Sequence, residues 1–325
     1  MSKNTYALDE VLDIPVNGDM QNIHIRSQSS KNPVLLFVHG GPGTCDRSWV
    51  MPVQSERLAD QFIMVCWDQR MAGKSYKKSK AEEPMSLAQV VEDMHDVVKY
   101  LCRRFQQEKI FIVGHSWGTI LSVLYLQKYP ETIKAYVGMG QFVNGPRLED
   151  MSYDYVYQYA KDHNNTKALK DLDRIGRPVN GNYKGGLNDM MVQRNYLSKF
   201  GGSGSAKKSE SIYKTVLAPF FTSGEYSWFR DFPKYWKGMY HNGYKLWPEA
   251  VQQKFDETAL KLDVPVYIFQ GDYDQNTPSE LVKEWLELLE APHKEYIPFH
   301  ETAHVPVTDE PDLFAKTIKE KLLSQ

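Results

Sequence analysis

Gly114-His115-Ser116-Trp117-Gly118 follows directly on the apolar run Ile110-Phe111-Ile112-Val113 and leads into a helical pattern that ends at Pro130. A short buried strand running into G-x-S-x-G and then a helix reads as a nucleophile elbow. The turn is so sharp that the side chain at its centre is thrust out over the end of the sheet. Small residues two positions to either side let strand and helix pack closely enough to make it. The pentapeptide alone has little specificity, because Gly and Ser meet by chance in many loops. Its surroundings decide the reading: a strand before, a helix after, and upstream the loop His39-Gly40-Gly41-Pro42-Gly43, which can offer backbone donors to an oxyanion. Ser116 is the candidate nucleophile.

Working outward, the elbow sits inside a repeating strand and helix rhythm. Val11–Val16 and Met20–Arg26, separated by Asn17-Gly18-Asp19, read as an N-terminal hairpin. Pro33–Val38 and Phe62–Trp67 are buried-strand patterns, and Ala135–Met139 is another. Ser86–Phe105 reads as a long helix with Leu87, Val90, Val91, Met94, Val98, Leu101 and Phe105 on one face and a capping box at Ser86 and Gln89. This rhythm predicts a mostly parallel sheet with helices on both faces. It breaks near Gly140. From about Gly145 to Lys261 the patterns are helical, with glycine-rich loops at Gly181–Gly186 and Gly201–Gly204 and about half of the aromatic residues. The rhythm resumes with a strand at Val264–Gln270 and a helix opened by a second capping box, Thr277-Pro278-Ser279-Glu280, with Leu281, Val282, Trp285, Leu288 and Leu289 facing inward. Lys294–Phe299 and a helix at Pro311–Leu323 complete the core. The expected organisation is an α/β core over 1–144 and 261–325, interrupted by a mainly helical insertion over 145–260.

Composition bounds the partners. The chain has 325 residues and a formal net charge of -2, which gives no electrostatic reason to expect nucleic acid or an anionic membrane. No apolar stretch approaches the roughly 20 residues needed to span a bilayer, and the first residues carry no apolar signal-peptide core. Three scattered cysteines (Cys45, Cys66, Cys102) form neither a disulfide framework nor a zinc site, so a cytoplasmic location is expected and no metal or cofactor is called for. The expected partner is a small-molecule or short-peptide substrate.

A serine hydroxyl needs a base within hydrogen-bond reach, and the base needs an orienting acid. After such an elbow the partners come in the order Ser, Asp or Glu, His, each on a loop past a later strand. The acid is expected in Gly271-Asp272-Tyr273-Asp274. Asp274 is preferred because it stands just before the helix at Thr277, with Asp272 as the alternative. The base is expected after Lys294–Phe299. His304 is preferred because it lies farther along the loop and can reach back across the sheet ends; His300 is the alternative, otherwise a surface residue. His24, His95, His163, His241 and His293 read as structural. The oxyanion hole is expected from the N–H of Trp117, at the positive end of the following helix, and from the His39–Gly43 loop at Gly41.

With these residues in view the chain resembles the proline iminopeptidase family of α/β-hydrolases. The resemblance covers both core segments. It rests on His39-Gly-Gly-Pro-Gly43, Trp67-Asp68-Gln69-Arg70 with Gly73-Lys74-Ser75, Gly114-His-Ser-Trp-Gly118, Gly271-x-x-Asp274 with Thr277-Pro278, and Ala303-His304. It implies the α/β-hydrolase fold, a Ser116–Asp274–His304 triad, an oxyanion hole from Gly41 and Trp117, and a helical cap at about 145–260. It also implies an aminopeptidase that releases an N-terminal proline or apolar residue through an acyl-enzyme. The alternative is a carboxylesterase, lactonase or amidase acting on a neutral small molecule with the same triad. Two departures bear on this. Met71 stands where the family usually has glycine. The cap glutamates near tryptophans that read a free amine in the family have no clear match, since only Glu225 and Glu249 lie near Trp228, Trp236 and Trp247. Tyr153, Tyr155, Tyr157 and Tyr159, four apart in pairs, read either as lid packing or as walls of a flat apolar pocket. Cys45 reads as a small packing residue beside the oxyanion loop.

Overall fold

The computed structural model describes residues 6–203, 217–218 and 220–324; Gly204, the end of the second glycine-rich loop, lies outside them. Alternating side chains build the hairpin of β1 (Leu8–Val16) and β2 (Asp19–Ser27). The apolar runs become β3 (Val34–Val38), β4 (Ile63–Asp68), β5 (Ile110–His115), β6 (Ile133–Met139), β7 (Val266–Gly271) and β8 (Lys294–Phe299). They form one sheet of eight strands in the order β1-β2-β4-β3-β5-β6-β7-β8. The β1–β2 and β2–β4 pairs are antiparallel, and every pair from β4 through β8 is parallel.

Runs without polar interruption suit strands covered on both faces. In β3, Val34, Leu36 and Val38 join one core cluster while Leu35 and Phe37 join the other; Ile110 and Ile112 of β5 are likewise split from Phe111 and Val113. The covering helices are α1 (Arg47–Leu58), α2 (Leu87–Phe105), α3 (Trp117–Lys128) and, near the C-terminus, two that are introduced below. Along α2 the expected stripe is buried from Leu87 to Leu101, with Phe105 partly buried, and the Ser86 hydroxyl accepts from Gln89 N at 3.2 Å. His95 lies off that stripe and stacks on Tyr129 at 3.7 Å between ring centroids.

Between β6 and β7 the chain runs through α4 (Gly145–Asp162), α5 (Thr166–Ile175), α6 (Leu187–Lys199) and α7 (Phe232–Ala250). The tyrosines of α4 pair as the spacing predicts, Tyr153 on Tyr157 at 5.8 Å and Tyr155 on Tyr159 at 6.1 Å. After β7 come α8 (Ser279–Leu288) and, after β8, α9 (Pro311–Leu323). Two details of α8 differ from expectation. Leu288 is exposed, whereas Leu281, Val282, Trp285 and Leu289 are buried as expected. The capping box at Thr277 does not form: its hydroxyl donates to Asp274 instead, and α8 starts without a side-chain cap. No helix among the described residues is long and apolar enough to cross a membrane.

Because β3 through β8 run in the same direction, the segments that follow them open at one edge of the sheet. That edge carries the His39 loop, the elbow, and the loops after β7 and β8. Ligands of open α/β sheets gather at this carboxyl edge.

Candidate active site

Ser116 has φ 52° and ψ -118°, a backbone state that side chains other than glycine rarely enter. The surrounding structure holds it there. Ser116 N donates to Met139 O at 2.9 Å, and its own carbonyl accepts from Thr119 N at 2.8 Å and from the Thr119 hydroxyl at 2.6 Å. Gly118 has to be glycine, since a Cβ there would lie 2.0 Å from Val38 O. Without that methyl, α3 packs directly on the end of β3, and Ser116 is presented at the lip of the sheet.

Asp274 is completely buried and surrounded by donors. One carboxylate oxygen accepts from Asn276 N and Thr277 N, both at 2.9 Å. The other accepts from the Thr277 hydroxyl at 2.7 Å, Gln270 Nε2 at 2.9 Å and His304 Nδ1 at 2.8 Å. A carboxylate only accepts, so His304 Nδ1–H is the donor in that bond and Nε2 is the nitrogen turned away from Asp274. Asp272 and His300 are bonded to each other at 2.7 Å on the exposed surface, and that bond raises the His300 pKa above its ordinary value. The two aspartates and two histidines thus sort into one buried pair and one surface pair.

Ser116 and His304 line the same cavity of about 180 Å³, together with Gly41 and Trp117. His304 Nε2 meets Asn276 Nδ2 at 2.9 Å, and Ser116 Oγ makes no hydrogen bond among the described residues. Links of this kind are often long in an unliganded site and tighten with substrate.

Gly41 has φ 121°, and a Cβ there would fall 2.4 Å from Gly43 N, so the tight path of the loop requires glycine. The loop is held by residues whose roles do not show in the sequence. Asp46 accepts from Gly40 N at 3.2 Å and from His115 Nδ1 at 2.6 Å, tying the oxyanion loop to the elbow. Gln69 takes the Trp117 indole N–H at 2.9 Å and donates to His39 O at 3.0 Å. Burial alone would depress the His115 imidazole, but the Asp46 carboxylate overrides it and holds the pKa above the ordinary value. Burial does depress His39, whose Nδ1–H donates to Gly40 O at 2.7 Å while Nε2 accepts from Gln69 N at 3.2 Å. Asp46 stands near the oxyanion loop and His115 lies inside the elbow, which were the available signals for this pair.

The far wall of the cavity comes from α4, α6 and α7, through Leu148, Met190, Arg194, Met239 and Trp247. Glu225 bonds His24 at 2.7 Å and Glu249 accepts from Leu87 N at 2.9 Å, and neither lines the cavity. Among the described lining residues Asp46 is the only carboxylate; its Oδ2 accepts from Gly40 N and His115 Nδ1, and its Oδ1 is buried without a hydrogen bond among the described residues. The four tyrosines of α4 are also away from the cavity, as are Trp228 and Trp236. Cys45 is buried against Ala72, Phe220, Tyr226 and Tyr235, and burial pushes its thiol well above the ordinary range. Met71 takes φ 57°, a left-handed state that glycine would enter freely; Asn242 Nδ2 secures it by donating to Met71 O at 2.8 Å. Among the described residues no group of three or more His, Cys, Asp or Glu is placed to hold a metal ion.

Residues 33–311 match the family model described as the alpha/beta hydrolase fold. The chain belongs to the α/β-hydrolase family. The probable aminopeptidase YbaC of Bacillus subtilis (strain 168) is 30% identical to this α/β-hydrolase over 94% of each chain. The proline iminopeptidase of Neisseria gonorrhoeae is 33% identical over 37% of each. In three dimensions a proline iminopeptidase-related protein of Thermus thermophilus superposes with a TM-score of 0.64 at 17% identity, over 98% of both chains, which speaks for the fold. The proline iminopeptidase-like character read from the motifs agrees with these relatives.

Proposed function

We propose that this α/β-hydrolase is a serine hydrolase that cleaves a carboxylic ester or amide through an acyl-enzyme on Ser116. The observation that carries this reading is the buried Asp274–His304 bond beside a strained serine in one cavity. His304 Nε2 leaves Asn276, takes the Ser116 proton, and Oγ forms a bond to the carbonyl carbon. The developing oxyanion is met by the N–H groups of Gly41 and Trp117, each donor of this kind contributing about 10²–10³ in turnover. The proton passes from Nε2 to the departing oxygen or nitrogen as its bond to carbon breaks. Water then repeats the sequence and frees the acid. The helices over 145–260 act as a cap that closes this space from water.

Within that chemistry, the cavity wall favours a small-molecule ester, lactone or amide over a free N-terminal amine. A buried ammonium needs a paired carboxylate, and the one carboxylate among the described lining residues, Asp46, is already paired with His115. The aminopeptidase reading is supported by the name of the Bacillus relative and keeps the same triad. A single panel separates them: proline and alanine p-nitroanilides with free amines beside p-nitrophenyl acetate and butyrate. Ester turnover without anilide turnover is the expected result. Efficient release of p-nitroaniline would restore the peptidase, and no turnover of any member would remove both.

A further inference from the structure

Arg194 of α6 is the only Lys or Arg among the described residues that line the cavity, and only 8% of it is exposed. Its neighbours on that wall, Leu148, Leu187, Met190 and Met191, are apolar. Arg194 Nη2 donates to Glu149 Oε1 of α4, and Nη1 donates to Gln193 Oε1. Glu149 is fully buried and does not line the cavity; the Tyr183 hydroxyl lies beside it, and its second oxygen, Oε2, makes no hydrogen bond among the described residues.

An ion pair that served only to pack α4 on α6 would be expected inside the helix contact with both carboxylate oxygens satisfied. Apolar residues of similar volume often pack as well or better at such a position. Here the anion stands behind and the cation faces the space where the substrate must sit. Two of five guanidinium donors are directed at the Gln193 and Glu149 oxygens and the Tyr183 hydroxyl lies against the same group, so donors remain. A planar fork on an apolar wall pairs best with a carboxylate. It would repel an ammonium.

We infer that Arg194 is the specificity-determining residue of this pocket and that it reads a carboxylate carried by the substrate. Glu149 serves as the resting counter-ion that keeps the guanidinium aimed before substrate enters. The inference rests on the acyl-enzyme reading and names the substrate class for it: an ester or amide bearing a free carboxylate.

Two matched pairs test it. Mono-p-nitrophenyl glutarate against p-nitrophenyl valerate places the carboxylate on the acyl side; 4-acetoxybenzoate against 4-acetoxybenzamide places it on the leaving side. In the wild type the charged member of at least one pair should lead in kcat/KM by about 10-fold to 100-fold, the size of one charged hydrogen bond, mainly through KM. In Arg194→Gln that ratio should fall to about one. Because Arg194→Gln leaves Glu149 unpaired, Arg194→Met combined with Glu149→Leu is measured beside it and should give the same collapse. A flat ratio in the wild type, or a preference that survives both variants, overturns the assignment. Fluorophosphonate labelling of the wild type separates the two levels: a labelled Ser116 with a flat ratio removes only the carboxylate, and an unlabelled Ser116 removes the acyl-enzyme and this inference together.

Discussion

Asp272 and Asp274 stand two residues apart, yet one is buried under His304 and the other faces solvent with His300. Their difference lies in what the loop after β7 does with its N–H groups. Asn276 N and Thr277 N both turn toward Asp274, so its charge is satisfied before the imidazole arrives. Replacing Asp274 by Asn should keep the fold but let the imidazole choose the wrong tautomer, lowering kcat for p-nitrophenyl butyrate by about 10⁴-fold. Asp272→Asn should leave kcat within about twofold, since surface pairs of this kind contribute little. Equal losses in the two variants would show that the acid is misassigned. The three candidate residues were legible in the sequence because each follows an apolar run at the edge where the site must form. Asp46, His115, Asn276 and Arg194 were not. Their meaning depends on partners or walls that distant segments bring to them, and no local spacing encodes those.

At the level of elements, the strand ends and α3 fit together through missing atoms. Gly118→Ala would place a methyl 2.0 Å from Val38 O, which α3 can relieve only by lifting off β3. The expected cost is about 1–3 kcal/mol, read as a fall of several degrees in Tm. An unchanged Tm would show that α3 has room there. Gln69 spans two elements, receiving the Trp117 indole and donating to His39 O. Gln69→Leu should therefore cut kcat by about 10²-fold through misplaced oxyanion donors, with little change in KM. A loss confined to KM would assign Gln69 to substrate binding instead. Strand positions were readable because side chains buried on both faces leave unbroken apolar runs. The capping box at Thr277 misled because the same hydroxyl is also the right distance from Asp274, and the buried carboxylate wins it.

At the scale of the whole molecule, the sequence disclosed a parallel core and a helical stretch between β6 and β7, but not which faces of α4, α6 and α7 look down on Ser116. Amphipathic helices record that one side is buried, not against what. Global stability also carries a titration that no motif announces. His115 is raised in the folded protein by Asp46, so the stability it contributes is complete below the unfolded value near pH 6.5. That stability is lost as pH rises through the folded value. His39 is depressed by burial and acts only below about pH 6.5, where stability rises with pH. Thermal melts should show Tm declining above pH 6.5 in the wild type and a flatter profile in Asp46→Asn; parallel profiles would contradict the pairing. Intact and peptide mass spectrometry after treatment with a fluorophosphonate reads the nucleophile itself. One adduct per chain, on Ser116 and lost in Ser116→Ala, is the predicted result. A folded, untouched Ser116, or an adduct on another residue that survives Ser116→Ala, would contradict it.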